Sequence, residues 1–397
     1  MALLAALGTY LPPWGDARGR TAGPDEDTVT LGVAAGRAAL QGAAPGAVRH
    51  VVFVTHELPL LVGGNGAALL AGIGLPPDVS VVEQIGGAPA VLDALVAAAP
   101  GTLVVAADIA PAGAGAALVG EPGGGADPVG LELVGRVVRS LPVRSRQPGS
   151  VERDYSDPRL QRERGLGVAV DLLDLPEKPV VVAGLAGKQA AALCSGTPPV
   201  LPTLGASAAV FALAALTDGG VVLATELASA TAVRVDAPVP AVHRDEPEPV
   251  APPRLVDNPG PEIAISLAAY ERAFEAKLRW EAGKCDSCGT LALPPRHRCL
   301  GCGSEAGWSP APLPRTGEVY TGVTIHIPVP GLPTPYSLAI VQLDGVDVRA
   351  LVKVTGVPAG TTEIGDRGRM VLRCVAIRSG VPDYGYALYP DTRGATA

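Results

Sequence analysis

The strongest constraint on this chain is a pair of C-x-x-C motifs between residues 285 and 303. Cys285 and Cys288 form the first motif, and Cys299 and Cys302 form the second. A glycine follows each motif at once, and glycine adopts the positive φ that helps the chain turn two thiolates toward one ion. Four thiolates at this spacing are typical of a closed, tetrahedral structural zinc site. Disulfides or unrelated free thiols are the alternative interpretation, and iron is the alternative metal.

The segments around these motifs resemble those of a known family. An amphipathic stretch, IAISLAAYERAFEAKLRWEAGK, precedes the cysteines, and RTGEVYTGVTIH, PYSLAIVQLDGVDVRALVKV and IGDRGRMVLRC follow them in that order. Over residues 255 to 390 this order resembles the zinc-ribbon and OB-fold proteins that accompany thiolase-like enzymes. The resemblance implies a rubredoxin-like zinc ribbon with structural zinc, followed by an OB-fold β-barrel. It also implies a partner of thiolases that associates with acyl-CoA and is not a catalyst by itself.

The composition excludes several classes of function. The chain has 397 residues and a formal net charge of −8, and no cluster of lysine and arginine stands out. It therefore lacks the basic surface typical of proteins that bind nucleic acid or anionic membranes. No run of about 20 apolar residues exists, so we expect no transmembrane helix. Six cysteines, four of them in the ribbon, fit a reducing compartment, and we predict a cytoplasmic protein.

Strands and helices alternate along the N-terminal part of the chain. The near-continuous apolar runs VRHVVFVTH, VSVVE and TLVVAADIA predict buried strands, and GNGAALLAGIGL and APAVLDALVAAA predict the helices between them. A second, weaker round of the same kind begins near LELVGRVVRS. This pattern favours a largely parallel sheet that is covered by helices on both faces.

The N-terminal part also resembles a family. GTYLPP, then DEDTVT, then LVVAADIA and GAGAALVG resemble the thiolase superfamily in their order, and the 3-hydroxy-3-methylglutaryl-CoA synthase branch in particular. The resemblance covers residues 1 to 236 and implies an α/β class fold, a duplicated α/β/α/β/α sandwich. Because the segment is short for that fold, we expect some peripheral elements to be missing.

These observations predict four parts in the chain. The thiolase-like domain occupies residues 1–236, and a Pro-rich linker occupies 237–260. A helix and the zinc ribbon occupy 261–313, and the OB-fold domain occupies 314–397.

The catalytic nucleophile that the thiolase resemblance implies is missing from this chain. Such enzymes need a cysteine at a strand-to-helix turn, where the helix N-terminus lowers the pKa of the thiol. The resemblance places this position at Gln84, within a residue, in VVEQIGGAPAVL. No cysteine lies anywhere in residues 1–193.

The two polar partners of that nucleophile are also missing. The resemblance places a histidine near Ala183 or Gly184, after the strand PVVVAGL, and an asparagine near Thr203, in LPTLGASA. No histidine lies between residues 57 and 242. All three polar positions of a thiolase-type site are therefore replaced.

Three residues remain as catalytic candidates. Gln84 could act as a functional replacement for cysteine, as in ketoacyl synthases that decarboxylate malonyl units. His56 follows a strand, where an acid–base group could sit, although a solvated loop is the simpler interpretation. Cys194 ends a predicted helix and is more typical of a small buried hydrophobic residue.

Two functions therefore compete. The favoured one is a non-catalytic, accessory subunit in a thiolase-type acyl-transfer, condensation or retro-aldol complex, binding acyl-CoA. The alternative is an acyltransferase, condensing or decarboxylating enzyme that uses Gln84 or His56. In either case we expect a homodimer, or a complex with an active thiolase or condensing enzyme.

Overall fold

The computed structural model describes residues 1–16, 18–43, 46–62, 64–121, 129–141, 143–145, 153–155, 157–236, 240–257, 267–327, 332–378 and 380–391. The predicted domain boundaries at residues 237, 260 and 261 lie outside these ranges, so the proposed division of the chain stays a prediction. Within the described part of the chain, none of the helices has the length and apolar character needed to cross a bilayer.

The first half of the N-terminal domain begins with a buried strand and alternates as the sequence predicts. Its elements are β1 (Ala2–Tyr10), β2 (Gly15–Asp16), β3 (Gly19–Arg20), α1 (Thr28–Ala39), β4 (His50–Thr55), α2 (Gly66–Ile73), β5 (Ser80–Ile85), α3 (Ala88–Ala97), β6 (Thr102–Ile109) and β7 (Ala112–Val119). Helix α1 starts with a capping box, in which the Asp27 side chain accepts from the Thr30 amide and the Thr30 hydroxyl oxygen accepts from the Asp27 amide. Strand β7 is buried along its whole length because both of its neighbours and both faces cover it.

The second half repeats the plan in shorter form. Its elements are β8 (Val129–Val137), β9 (Arg144–Ser145), β10 (Arg153–Asp154), α4 (Pro158–Arg164), α5 (Leu166–Leu173), β11 (Val181–Ala183), α6 (Gly187–Leu193), α7 (Ala208–Ala214), β12 (Gly220–Glu226) and β13 (Ser229–Val235). The strand order across the main sheet is β11-β12-β13-β8-β1-β7-β6-β4-β5. In the first half, β1 pairs antiparallel with β7 of the β6–β7 hairpin, and β6 pairs in parallel with β4. In the second half, β8 pairs antiparallel with β13 of the β12–β13 hairpin, and β12 pairs in parallel with β11.

The two halves of the sheet have equivalent strands except at their outer edges. Strand β5 extends the first half beyond β4, but the described residues contain no counterpart beyond β11. The missing strand is one of the peripheral losses that the short sequence predicts.

The helices form three layers, which alternate with the two halves of the sheet to give five layers. Helices α3 and α7 touch each other and lie between the two halves, since α3 packs on β12 and β13 while α7 packs on β1 and β7. Helices α1 and α2 cover the outer side of the first half, and α5 and α6 cover that of the second. Because aromatic residues make up only 4% of the chain, alanine, valine and leucine fill the central layer. The predicted thiolase-like, duplicated α/β/α/β/α sandwich is confirmed.

The C-terminal part contains the two predicted modules. Its elements are β14 (Val242–Asp245), α8 (Leu267–Arg279), β15 (Glu281–Cys285), β16 (Leu291–Ala292), β17 (Trp308–Pro312), β18 (Thr316–Ile325), β19 (Tyr336–Leu343), β20 (Arg349–Val354), β21 (Arg367–Arg378) and β22 (Val381–Pro390). Strands β15 to β17 form the ribbon, and the last five close into a barrel in the order β18-β19-β20-β22-β21. The zinc ribbon and the OB-type barrel are thereby confirmed.

The barrel packs on the outer side of the first half, and one hydrophobic core runs through both. Gly72 of α2 makes this close approach possible, because a Cβ there would lie 2.6 Å from Val33 and 2.8 Å from Leu372 of the barrel. Two hydrogen bonds from Arg315 reinforce the interface, one to the Gly72 carbonyl and one to the Ala71 carbonyl over 3.3 Å. Arg315 donates to the Gly72 carbonyl at the end of α2 over 2.9 Å, where a cation favours the helix dipole.

Candidate functional site

The four ribbon cysteines converge on one point. Their sulfur atoms all lie within 4.8 Å of one another. The Sγ–Sγ distances are 3.8 Å between Cys285 and Cys302 and 3.5 Å between Cys288 and Cys299. Sulfurs in a tetrahedral zinc site with bonds of about 2.3 Å are about 3.8 Å apart. The cluster therefore has the donor type, number and spacing of a closed zinc site.

The local backbone explains why these sulfurs converge. Gly289 and Gly303 have φ of 78° and 72°, and their amides donate to the carbonyls of Cys285 and Cys299. Backbone amides also point at sulfur, since Gly301 donates to Cys299 Sγ over 3.3 Å. Hydrogen bonds from the backbone amides of Cys302 and Gly301 lower the pKa of Cys299 to about 6, whereas the neighbouring sulfurs raise the pKa of Cys302 to about 11.

The turn between β5 and α3 is formed by Gly86 and Gly87. Helix α3 starts at Ala88 with Gly87 as its N-cap, directly after the end of β5. Gln84 lies inside β5, half-buried, and is paired in register with Val54 of β4. Gln84 is thus two residues before Gly86, where the strand has ended and the turn begins.

A carboxylate occupies the space in front of this helix N-terminus. Glu226, the last residue of β12, accepts a hydrogen bond from the Gly87 amide over 3.0 Å, and its other oxygen bonds to His56 Nε2. Burial alone would raise the pKa of Glu226, but the hydrogen bonds and charge of His56 and the Gly87 amide lower it. The His56 side chain is 46% exposed and that of Glu226 is 31% exposed. The pair therefore links the two halves of the domain at a site that solvent can reach.

A second carboxylate accepts hydrogen bonds at the N-terminus of α7, the central helix of the second half. Asp108, near the end of β6, accepts from the amides of Ala206 and Ser207 over 2.8 Å each, just before α7. The Ser207 hydroxyl donates to Asp108 over 2.5 Å, and burial raises the pKa of this carboxyl. Each half thus supplies one acid that caps the central helix of the other half.

Sequence reasoning missed Glu226 and Asp108. The signal was present, because an acidic residue ends the apolar run in both LVVAADIA and VVLATEL. Comparing the two rounds strand by strand would have found them. The equivalent strand ends meet at the interface between the halves, which a single round does not show.

Gly184, near which the thiolase resemblance places a histidine, has no room for a side chain. Gly184 has φ of 91°, and a Cβ there would lie 2.0 Å from the Thr225 carbonyl oxygen. Any side chain at this position would collide with β12. Thr203, near which the resemblance places an asparagine, is fully buried, and its hydroxyl oxygen lies 2.8 Å from that of Ser207.

Cys194 lies away from this site. It packs in the outer core of the second half with Ala190 and Leu223, whereas His56 and Glu226 lie at the start of the central helix α3. Burial raises the pKa of the Cys194 thiol, which disfavours the nucleophilic thiolate. The structure thus brings His56 close to the α3 N-terminus but does not bring Cys194 to it.

Replacing Glu226 with glutamine is expected to lower the free energy of unfolding at pH 7 by about 1 kcal/mol, the net contribution of one hydrogen bond. Because the folded protein lowers the pKa of Glu226, its carboxylate stabilises the fold above the usual value of about 4.3. This contribution is lost as the pH falls through the lowered pKa. Urea unfolding should therefore separate wild type and variant at pH 7 but not at about pH 3.

The matched control is Glu177→Gln, which removes a surface ion pair with Arg234 of 2.6 Å. Surface pairs contribute about 0–1 kcal/mol, so we expect a smaller effect at pH 7. An effect of Glu226→Gln that is equal at both pH values would contradict the assigned role of its charge.

The C-terminal part of the chain matches two family models. Residues 274–306 match the family model described as the rubredoxin-like zinc ribbon domain of ChsH2. Residues 311–373 match the family model described as the C-terminal OB-fold domain of ChsH2. The C-terminal part of the chain therefore consists of a ChsH2-type zinc ribbon and a ChsH2-type OB fold. Among curated proteins, none matches the chain.

Solved structures similar to the chain cover different parts of it. The Ltp2–ChsH2(DUF35) aldolase is 26% identical over 33% of this chain and 98% of its own, with a TM-score of 0.27. The 3-oxoacyl-(acyl carrier protein) synthase III FabH from Pseudomonas aeruginosa PAO1 is 17% identical over 60% of this chain and 99% of its own, with a TM-score of 0.46. PksG, an HMG-CoA synthase from Bacillus subtilis, is 14% identical over 60% of this chain and 80% of its own, with a TM-score of 0.44.

Proposed function

We propose that this chain is a non-catalytic, acyl-CoA-associated subunit of a thiolase-type complex. The observation that carries the proposal is Glu226 at the N-terminus of α3. A thiolase needs a thiolate at this helix N-terminus. Here the Gly87 amide already donates to the Glu226 carboxylate. A half-buried negative charge at this point opposes both a thiolate and the oxyanion of a thioester. Losing the nucleophile and the base leaves binding as the main remaining function.

The C-terminal modules support an accessory function. The zinc ribbon and OB fold are of the ChsH2 type, and they resemble proteins that accompany thiolase-like enzymes. In this chain they are anchored on the outer side of the first half through a shared core. Zinc held by the four cysteines would keep the ribbon folded, and the module would hold substrate near a partner's active site in the cytoplasm.

The edge of the main sheet offers a docking surface for that partner. Strand β5 ends the sheet and pairs only with β4 among the described strands. Its side chains Val82 and Ile85 are 56% and 62% exposed, and the nearby loop exposes Leu61 and Val62. An exposed, apolar edge strand is a template for pairing with another strand. Thiolase-like domains pair through such sheet edges, so we place either a second copy or an active thiolase here.

Replacing Val82 with glutamate is expected to abolish this association, because a charge would be buried in the strand-to-strand interface without a partner. The test is copurification of the tagged chain from its native host, with recovered proteins identified by mass spectrometry. We expect recovery of a thiolase-type enzyme that retains its cysteine, and its loss with Val82→Glu. The control is Val323→Glu, which changes a 55% exposed valine of the barrel. Recovery of this chain alone, as a monomer, would contradict the proposal.

One observation favours the alternative, catalysis by the chain itself. The His56–Glu226 pair stands at a helix N-terminus and is open to solvent. A histidine oriented by a carboxylate is the usual form of a general base. Under this alternative His56 would take a proton from an acyl-CoA substrate, and His56→Ala would remove the activity.

A further inference from the structure

Three arginines surround one tyrosine where the barrel meets the outer side of the first half. Arg37 belongs to α1, Arg279 ends α8, Arg315 directly precedes β18, and Tyr386 lies in β22. Burial raises the pKa of Tyr386, and the positive charges of the three arginines oppose this rise, which places their guanidiniums near the phenol. Arg279 has a carboxylate partner, Glu275, over 3.5 Å. The junction therefore concentrates positive charge, and Arg37 and Arg315 are its unpaired part.

The guanidiniums of Arg37 and Arg315 meet at one carbonyl oxygen. Arg315 donates to the Gly72 carbonyl over 2.9 Å, and Arg37 donates to the same oxygen over 3.4 Å. Within the described ranges neither forms an ion pair, and a guanidinium carries more N–H donors than these carbonyl contacts use. Burial, and then the charge of Arg315, lowers the pKa of Arg37. Two cations this close repel each other unless a negative charge lies beside both.

The hydroxyl of Tyr386 gives an independent sign of the same kind. The side chain is 4% exposed, and its hydroxyl oxygen is buried without a hydrogen-bond partner among the described residues. Arg315 lies over the same ring, with its Cζ 5.0 Å from the ring centroid. Arg37 is exposed, so a small solute reaches the cluster from solvent. A buried hydroxyl beside two unpaired cations indicates an acceptor that carries negative charge.

We propose that Arg37, Arg315 and Tyr386 bind a tetrahedral oxyanion, namely phosphate, either free or as a phosphomonoester. Guanidinium N–H groups match the spacing of phosphate oxygens, two cations balance a dianion, and the phenol donates a further hydrogen bond. Because β4 and β5 are parallel, α2 runs back between them, so Gly72 lies at the opposite edge of the sheet from His56. The oxyanion site is therefore separate from the thiolase-type site, and a bound anion would tie α1 to the barrel.

Isothermal titration of the full-length chain in phosphate-free buffer tests the proposal. We expect inorganic phosphate to bind at about one site per chain, with a Kd below about 1 mM. Sodium chloride at the same ionic strength should give no saturable binding. Binding of glycerol 3-phosphate as well as phosphate shows that the site admits a phosphomonoester, and binding of only one of them identifies the source. Absence of saturable binding by both at about 10 mM would overturn the proposal.

Two variants locate the oxyanion. Tyr386→Phe removes only the hydroxyl, and Arg37→Gln removes the exposed guanidinium, so each should lower the affinity at least about tenfold. The control is Arg49→Gln, which breaks an exposed ion pair with Glu121 of 2.8 Å and should leave the affinity unchanged. Unchanged affinity in either Tyr386→Phe or Arg37→Gln would overturn the assignment.

Thermal unfolding gives a second readout. Phosphate stabilises proteins in general because it is excluded from their surface, and this part should persist in every variant. The additional rise in Tm that comes from specific binding should appear in the wild type and in Arg49→Gln, and should be lost in Tyr386→Phe and Arg37→Gln. An equal rise in all four proteins would contradict a specific site. No partner enzyme or acyl-CoA takes part, so this test can fail while the accessory function stands, and the reverse.

Discussion

Replacing Cys285 with serine is expected to reduce bound zinc from about one equivalent per chain to less than about half. The four sulfurs lie within 4.8 Å of one another, and close thiolates repel unless a cation neutralises them. Zinc binding contributes about 10–16 kcal/mol in small zinc modules, and the ribbon has only short strands to hold it otherwise. We therefore expect the ribbon to unfold together with the loss of metal.

Elemental analysis of the purified protein measures this effect. The control is Cys194→Ser, which removes a thiol outside the cluster and should leave the metal content unchanged. Iron in place of zinc in the wild-type protein would change the identity of the metal but not the site. Full metal content in Cys285→Ser would contradict the four-cysteine assignment.

Replacing Arg373 with methionine is expected to lower the free energy of unfolding by about 3–5 kcal/mol. Arg373 of β21 is 2% exposed, and its guanidinium lies 3.0 Å from Glu26 Oε1 and 3.0 Å from the Tyr10 hydroxyl. Glu26 is 1% exposed, so removing the cation leaves a buried carboxylate without its charge partner. Since these residues join the barrel to the N-terminal domain, the loss weakens the contact between the two.

A second substitution tests this explanation. Glu26→Gln removes the orphaned charge, so the double variant should be more stable than Arg373→Met alone. Arg367→Met breaks an exposed ion pair with Asp344 and should cost about 0–1 kcal/mol. Urea unfolding measures all four proteins. Equal stability of Arg373→Met and Arg367→Met would contradict the buried ion pair.

Local signals in the sequence predicted the parts of the fold that local chemistry determines. The doubled C-x-x-C motifs predicted the cysteine cluster, because four ligands within 18 residues need no long-range information. The start of α1 is likewise local, since the N-cap Asp27 and its partner Thr30 both lie within DEDTVT. The apolar runs VRHVVFVTH and TLVVAADIA predicted β4 and β6, which are buried inside the sheet. The run VSVVE also predicted a buried strand, but β5 is partly exposed at the edge of the sheet.

Features that depend on distant pairing were missed. The sequence predicted a Pro-rich linker over residues 237–260. Within it, β14 pairs in parallel with β1, so that Gly8 lies opposite His243. Strand β22 was not predicted, because VPDYGYALYP contains two prolines and two glycine or aspartate interruptions that are typical of loops. Its pairing with β21 along most of its length stabilises it.

The sequence predicted which catalytic residues the candidate site lacks, but it did not predict the contacts that the site contains. The thiolase resemblance implied that cysteine, histidine and asparagine are replaced, and the sequence left His56 as one remaining candidate. It did not show that Glu226, 170 residues later, bonds to His56. That contact requires the two halves to be placed face to face across α3.

The turnover of acyl-CoA by the isolated chain tests the central claim most directly. Purified chain is incubated with acetyl-CoA, acetoacetyl-CoA and malonyl-CoA, and free CoA is followed by thiol titration. Because no nucleophile stands at the α3 N-terminus and Glu226 occupies it, we predict release of CoA no faster than in buffer. Release at ordinary enzymatic rates, on the order of 1 per second or more, that is abolished by His56→Ala or by Gln84→Ala would contradict the accessory function.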